Sequence, residues 1–151
     1  MKNKSIIKYA GLAIILYLLY LGNVEVQTYF GEKALESTGL HSTLFKDAMA
    51  QSTATGKPVL VELSAIWCPS CRKLDKKVLS DKRVTDLISK QFIFSRLEYE
   101  SEEAEQFMER YQVSGFPTLL IFQPKKSTPE QVQLTFEPEP FIKQLHEVAG
   151  I

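Results

Sequence analysis

Apolar positions fall into distinct regimes along the chain. Residues 6–21 are almost continuously apolar, interrupted only by Lys8, the small residues Ala10, Gly11 and Ala13, and tyrosines. Beyond them the pattern breaks into short runs bounded by turn residues. Val59-Leu60-Val61-Glu62-Leu63-Ser64 is rich in β-branched and apolar side chains and predicts a buried strand at 59–64. Residues 92–99 predict a second strand, and 119–122 and 132–136 a hairpin around residues 124–129. Helices are expected at 42–52, 69–79, 83–89, 101–111 and 141–148. Ser42 and Ser101 are the expected caps, and Pro69 suits a first helical position, where its missing N–H would be unpaired anyway. Residues 24–30 read equally as a strand or as a polar extension of the first apolar helix. The order predicts an α/β fold, a central mixed sheet with helices on both faces.

The first regime sets the compartment. Lys2, Lys4 and Lys8 precede or enter the apolar run, and no acidic residue appears before Glu25. The run is longer than a signal-peptide core and shorter than a full span of about 20 residues. Tyr20-Leu21-Gly22 lacks small residues at both positions that cleavage requires. The expected element is an uncleaved signal anchor, with its N-terminus in the cytoplasm, the rest of the chain outside, and Tyr17 and Tyr20 toward the outer interface. The chain then divides into a cytoplasmic start and transmembrane anchor (1–22), a juxtamembrane linker (23–41) and one domain (42–151). The remainder after the anchor is long enough for a proper core. Basic and acidic side chains number 18 each, and no basic stripe stands out, which argues against nucleic acid as a partner.

The chemistry lies in Trp67-Cys68-Pro69-Ser70-Cys71, which holds the only two cysteines of the chain. A strand that delivers Cys-x-x-Cys to a helix start is the setting of thiol-disulfide exchange. A zinc site would need two more ligands, and His41 and His146 lie far apart with no motif around them. Covalent haem attachment needs a His after the second Cys, where Arg72 stands. A purely structural disulfide closing so short a loop would constrain the unfolded chain little. At a helix start, unpaired N–H groups and the macrodipole favour a thiolate, so Cys68 is expected to be the nucleophile, with an exposed sulfur, and Cys71 the buried resolving thiol.

A second motif, Gly115-Phe116-Pro117-Thr118, stands directly before the apolar run 119–122. Trp-Cys-x-x-Cys after one apolar strand and Gly-x-Pro-Thr before another resembles the thioredoxin superfamily, over roughly residues 42–149. Gly56-Lys57-Pro58, Ala65-x-Trp67-Cys68, Cys71-Arg72-Lys73-Leu74-Asp75 and Val78-Leu79-Ser80-Asp81 bring the chain nearer to one branch. They are similar to the C-terminal thioredoxin-like domain of the bacterial transmembrane thiol-disulfide interchange protein and its single-domain relatives.

The resemblance implies a thioredoxin-like fold behind an N-terminal membrane-anchor helix, with Pro117 in a cis peptide packed against the Cys pair. It implies that Glu62 is the buried acid aiding proton transfer to Cys71, with Arg96 the basic residue beside it. Asp75 matches a second acid of the closer relatives, although a helix-face aspartate reads first as solvated. Trp67, Phe116 and Pro117 are the expected substrate surface. No cofactor beyond the redox-active Cys68–Cys71 pair and no metal are expected. The implied protein is a single-pass reductase of protein disulfides on the periplasmic face of the bacterial inner membrane. A membrane thiol-disulfide carrier would supply its electrons, since the chain has no further cysteines. Two other readings stay open: a dedicated reductant in cytochrome c maturation, and a non-catalytic thioredoxin-like binding module. With no His between the cysteines to favour the Cys68 thiolate, the pair is expected toward the reducing end, roughly −270 to −200 mV.

Overall fold

The computed structural model of the chain describes residues 2–150, with side chains from Lys8 onward. Its sheet is built around β1 (Val59–Ser64), which is buried at every position, as a strand covered on both faces must be. β1 pairs in parallel with β2 (Ile93–Glu98) and antiparallel with β3 (Thr118–Phe122). A short β4 (Glu130–Val132) continues from β3, giving the order β2-β1-β3-β4. A parallel pair needs a crossover. Here α3 (Pro69–Leu74), a π-helical turn (Asp75–Leu79) and α4 (Lys82–Gln91) supply it.

Strand alternation divides the core. Leu60 on β1 with Leu119 and Ile121 on β3 packs against Leu74 of α3, Ile88 of α4 and Phe141 of α6 (Pro138–Ala149). Val59, Val61 and Leu63 point the other way, against Ala48 of α2 (Phe45–Thr55) and Phe107 of α5 (Glu102–Tyr111). The architecture is therefore α/β, a mixed sheet with helices on both faces and a thioredoxin-like element order. Glu62 and Ser64 share the Leu60 face, which places both polar side chains beneath α3.

Four local expectations are corrected. Ser42 does not cap a helix: Leu44 holds the position before α2, and the Ser42 hydroxyl accepts from the Arg96 backbone N–H at 2.8 Å. With Thr43 N–H donating to Phe94 C=O, this segment covers the open edge of β2. The last strand ends at Val132, not residue 136, because the Gln144 side chain on α6 takes both backbone groups of Gln133. The redox helix does not run as one α-helix to Leu79 but widens into the π-helical turn at Asp75. α6 begins three residues early, with Pro138 near its first position.

The longest element is α1 (Lys2–Thr38), so residues 24–30 extend the apolar helix and form no strand. From Leu12 to Tyr20 its large apolar side chains are more than half exposed. Its last third lies against α3 and the π-helical turn. Ala34 and Thr38 are buried, and the Gln27 side chain accepts from Arg72 Nη1 at 2.7 Å. Phe30 lies under the Arg72 guanidinium and the Lys76 ammonium. Gly31 makes the closest approach: a methyl group there would lie 1.8 Å from the Ile66 carbonyl oxygen, one residue before Trp67. The backbone carbonyl cannot swing aside as a flexible side chain would. Gly31→Ala is expected to lower the denaturant midpoint of the full chain in detergent, at about 1–3 kcal/mol for overpacking. Trp67 emission reports the transition, and an unchanged midpoint would show that α1 is not seated on Ile66.

Candidate active site

β1 ends in a tight loop, with Cys68 N–H donating to Ala65 C=O at 2.9 Å, and the loop hands Cys68 to the start of α3. Cys68 is the N-cap in extended conformation, and its Sγ accepts from the Cys71 backbone N–H at 3.3 Å. Sulfur thus takes the role a serine or aspartate oxygen plays at other helix starts. Pro69 follows in the first turn. The two cysteines are unbridged thiols.

Cys71 is buried as expected of a resolving thiol, but Cys68 is buried too, at 5% exposure. The exposed sulfur expected for Cys68 is therefore corrected. Trp67 and Phe116 pack on the Ala65-Cys68-Cys71 cluster and cover it. Their rings meet edge to face at 5.4 Å, and Tyr99 packs on Phe116 from beyond. The Trp67 indole N–H donates to Glu100 at 3.2 Å. The Phe116–Pro117 peptide is cis, and Pro117 is buried. Thr118 pairs with Leu63, so this turn enters the sheet at the end of β1 that carries the redox loop.

Below the cysteines lies a buried ion cluster. The parallel register sets Glu62 opposite Arg96. Arg96 Nη1 reaches Glu62 at 3.2 Å and Asp75 at 2.9 Å, and its Nε donates to Glu98 at 2.8 Å. Asp75 is not solvated, as a helix-face reading suggested; it is 1% exposed, because Leu74, Val78 and Leu79 around it pack with Leu60 and Leu119 of the sheet. Burial raises the Glu62 carboxyl from 4.5 to about 7, with Asp75 adding to the rise and Arg96 opposing it. Burial also raises Asp75, against the nearby Arg96 charge and hydrogen bond. Burial pushes the Cys71 thiol up to about 12, with Cys68 adding to it. The Ser64 hydroxyl favours the ionised forms of both Glu62 and Cys71. It is buried and makes no formed hydrogen bond, so it lies within electrostatic reach only.

The structure thus gathers Cys68, Cys71, Trp67 and Phe116 into one layer, and Glu62, Arg96 and Asp75 into a second beneath it. His41, before α2, and His146, on α6, lie on other elements. Sequence reasoning did not find Ser64, Glu100 or the α1 residues Gln27, Phe30 and Gly31. Only Gly31, a glycine inside a helical stretch, carried a signal.

Between pH 4.5 and 7 the folded chain keeps a Glu62 proton that the unfolded chain has released. Stability should therefore fall as pH rises through that window, by roughly 3 kcal/mol, and level off above it. Glu62→Gln should remove this slope in denaturant midpoints measured across the window. A slope equal to that of the parent chain would assign the titration to another group.

Comparison with known proteins agrees with this geometry. The Thioredoxin-like family model matches residues 42–124. Over 80 residues the chain is 31% identical to the thiol:disulfide interchange protein DsbD of Pseudoalteromonas atlantica, taking in 52% of this chain and 13% of that protein. The matched region is thus a small part of that relative's length. A thioredoxin from Thermus thermophilus is 29% identical with a TM-score of 0.58, over 72% of this chain and 84% of that one. The reduced C-terminal domain of DsbD from Neisseria meningitidis has a TM-score of 0.57 at 20% identity, over 68% of this chain and 92% of that one, a likeness of fold. With the matched residues carrying β1, β2, β3 and the Cys68–Cys71 helix start, the chain belongs to the thioredoxin-like family.

Proposed function

We propose that this protein is a membrane-anchored thiol-disulfide oxidoreductase that reduces protein disulfides outside the bacterial cytoplasm. The observation that carries the reading is the Cys68–Cys71 dithiol at the start of α3, with the Cys71 N–H on the Cys68 sulfur. Glu62, in the polar layer below it, has a carboxyl poised near neutrality.

The Cys68 thiolate attacks one sulfur of a substrate disulfide. A mixed disulfide forms, and the other substrate sulfur leaves as a thiolate that takes up a proton. Cys71 then loses its proton and attacks Cys68 Sγ. The second substrate thiol leaves, and the Cys68–Cys71 disulfide remains. Two electrons have passed to the substrate. A second dithiol protein, expected to be a membrane thiol-disulfide carrier, must restore them. Burial makes Cys71 a reluctant acid, so its deprotonation needs a base, and Glu62 has a suitable affinity at neutral pH. Ser64 lies in reach of both groups. Arg96 holds Glu62 in place and is itself held by Asp75. Trp67 and Phe116, the latter set by the cis peptide to the buried Pro117, form the surface where a substrate segment lies, and the Trp67–Phe116 contact must part for a disulfide to reach Cys68.

The anchor reading rests on α1. An 18-residue stretch has mean hydropathy 1.6, and none of it is buried inside the protein. Lys2, Lys4 and Lys8 favour a cytoplasmic N-terminus. The DsbD relative is named a thiol:disulfide interchange protein, which supports thiol-disulfide exchange as the chemistry proposed here.

Cys68→Ala should reduce insulin disulfide cleavage by the full chain to background, in the presence of a thiol reductant. Cys71→Ser should accumulate a mixed disulfide on Cys68, visible on a non-reducing gel. Full turnover by Cys68→Ala would remove it as nucleophile. For topology, alkaline phosphatase fused after Ile151 should be active and stay in the membrane fraction. An inactive fusion, or a soluble shortened product, would overturn the placement.

A further inference from the structure

α1 is one unbroken helix from Lys2 to Thr38, so no flexible segment separates its apolar part from the part docked on the redox helix. The apolar run at residues 6–21 is about 24 Å long at 1.5 Å per residue, less than the roughly 30 Å of a bilayer core. A short span draws its flanking residues into the headgroup zone. Those flanking residues line the redox site. A cleft of about 390 Å³ lies between α1 and the redox loop, lined by Tyr20, Asn23, Val24 and Gln27 on one side and Trp67 and Glu100 on the other. Tyr20 belongs to the last turn of the apolar run. Trp67 therefore stands level with the helix segment 20–27, about 10 Å long. Its indole has an apolar body and an N–H tied to Glu100. Tyr20 and Tyr17 are exposed near the same end of the run. Aromatic groups of this kind settle at the membrane interface.

We propose that the Trp67 rim of the redox site is held in the lipid headgroup layer, at a height and rotation fixed by α1. The partner surface is the bilayer itself. Three contacts set the geometry: Gly31 on the Ile66 carbonyl, Gln27 on Arg72, and Phe30 under Arg72 and Lys76. The proposal rests on the anchor reading of α1 and is independent of the direction of electron flow.

Trp67 is the only tryptophan of the chain, so its emission reports this site alone. The full chain is reconstituted into phosphatidylcholine vesicles. One set carries lipid with a nitroxide on the headgroup, another carries lipid brominated near the chain ends. Flotation of the vesicles first tests the anchor. The expected result is co-flotation, a loss of Trp67 emission that deepens with headgroup-quencher content, and little loss with the chain-end quencher. A ten-residue Gly/Ser insertion between Gly22 and Asn23 gives the domain about 17 Å of slack. It should restore emission while the chain still floats with the vesicles. A chain that fails to float overturns the anchor reading, and this placement with it. A chain that floats but shows no headgroup quenching, or equal quenching with and without the insertion, overturns the placement alone. Gly31→Leu in the same vesicles should also restore emission, and the insertion keeps the test valid if that variant does not fold.

Discussion

One buried cation organises the ground beneath the redox pair. Arg96, with its side chain 4% exposed, touches Glu62 on β1, Asp75 at the head of the π-helical turn and Glu98 at the end of its own strand. These groups come from three elements, so the guanidinium ties the sheet to the crossover connection that carries the cysteines. Such a cluster is poor evidence of added stability, because desolvating the charges offsets their attraction. Removing one partner is another matter: an uncompensated buried charge costs about 3–5 kcal/mol. Arg96 is thus required by the acids it serves. Its value lies in fixing where they sit. A lysine would carry the charge but could not reach three carboxylates with a planar fork of donors.

The same cluster sets the protons. Three carboxylates face one guanidinium, and two of them are almost wholly buried. They cannot all ionise cheaply in that environment. Asp75 makes the shorter contact with Arg96, while Glu62 is fully buried and sits farther from the charge. Glu62 is therefore the member that keeps a proton toward neutrality. Its partner in the proposed chemistry, Cys71, is raised by burial in the same way. Burial makes the thiol hold its proton and makes the carboxylate a better acceptor for it. One physical cause therefore prepares both ends of the transfer.

Much of this was legible in the chain. The all-apolar strand 59–64, the Cys-x-x-Cys after it and the proline before 119–122 specify local structure through strong signals: burial, helix start and turn chemistry. Glu62 showed itself as the one charge in an apolar strand. Asp75 drew two readings, a second acid and a solvated helix-face group, because its fate depends on which face of a short helix meets the sheet, and the widening into a π-helical turn leaves little trace in local pattern. Ser42 was misread for a related reason. A serine before a helix is a good cap, but here an unpaired edge strand competes for the same hydroxyl and wins. The burial of Cys68 lay beyond sequence reading, since it depends on Trp67 and Phe116 meeting across loops 49 residues apart in number.

Burial of Cys68 constrains how any disulfide can reach it. Below it lie Cys71 and the ion cluster, packed into the core. On the α1 side, Gly31 is seated on the backbone of Ile66, and that helix cannot shift without losing the Arg72 and Ile66 contacts together. What remains is the Trp67–Phe116 edge-to-face contact, partly exposed and held by one indole hydrogen bond to Glu100. An aromatic pair of this type is worth about 0.5–1.5 kcal/mol beyond its area, far less than the cost of undocking a helix. The site therefore opens on the Trp67 side, beside the cleft formed with α1. Access to Cys68 and the docking of α1 therefore converge on the same few residues.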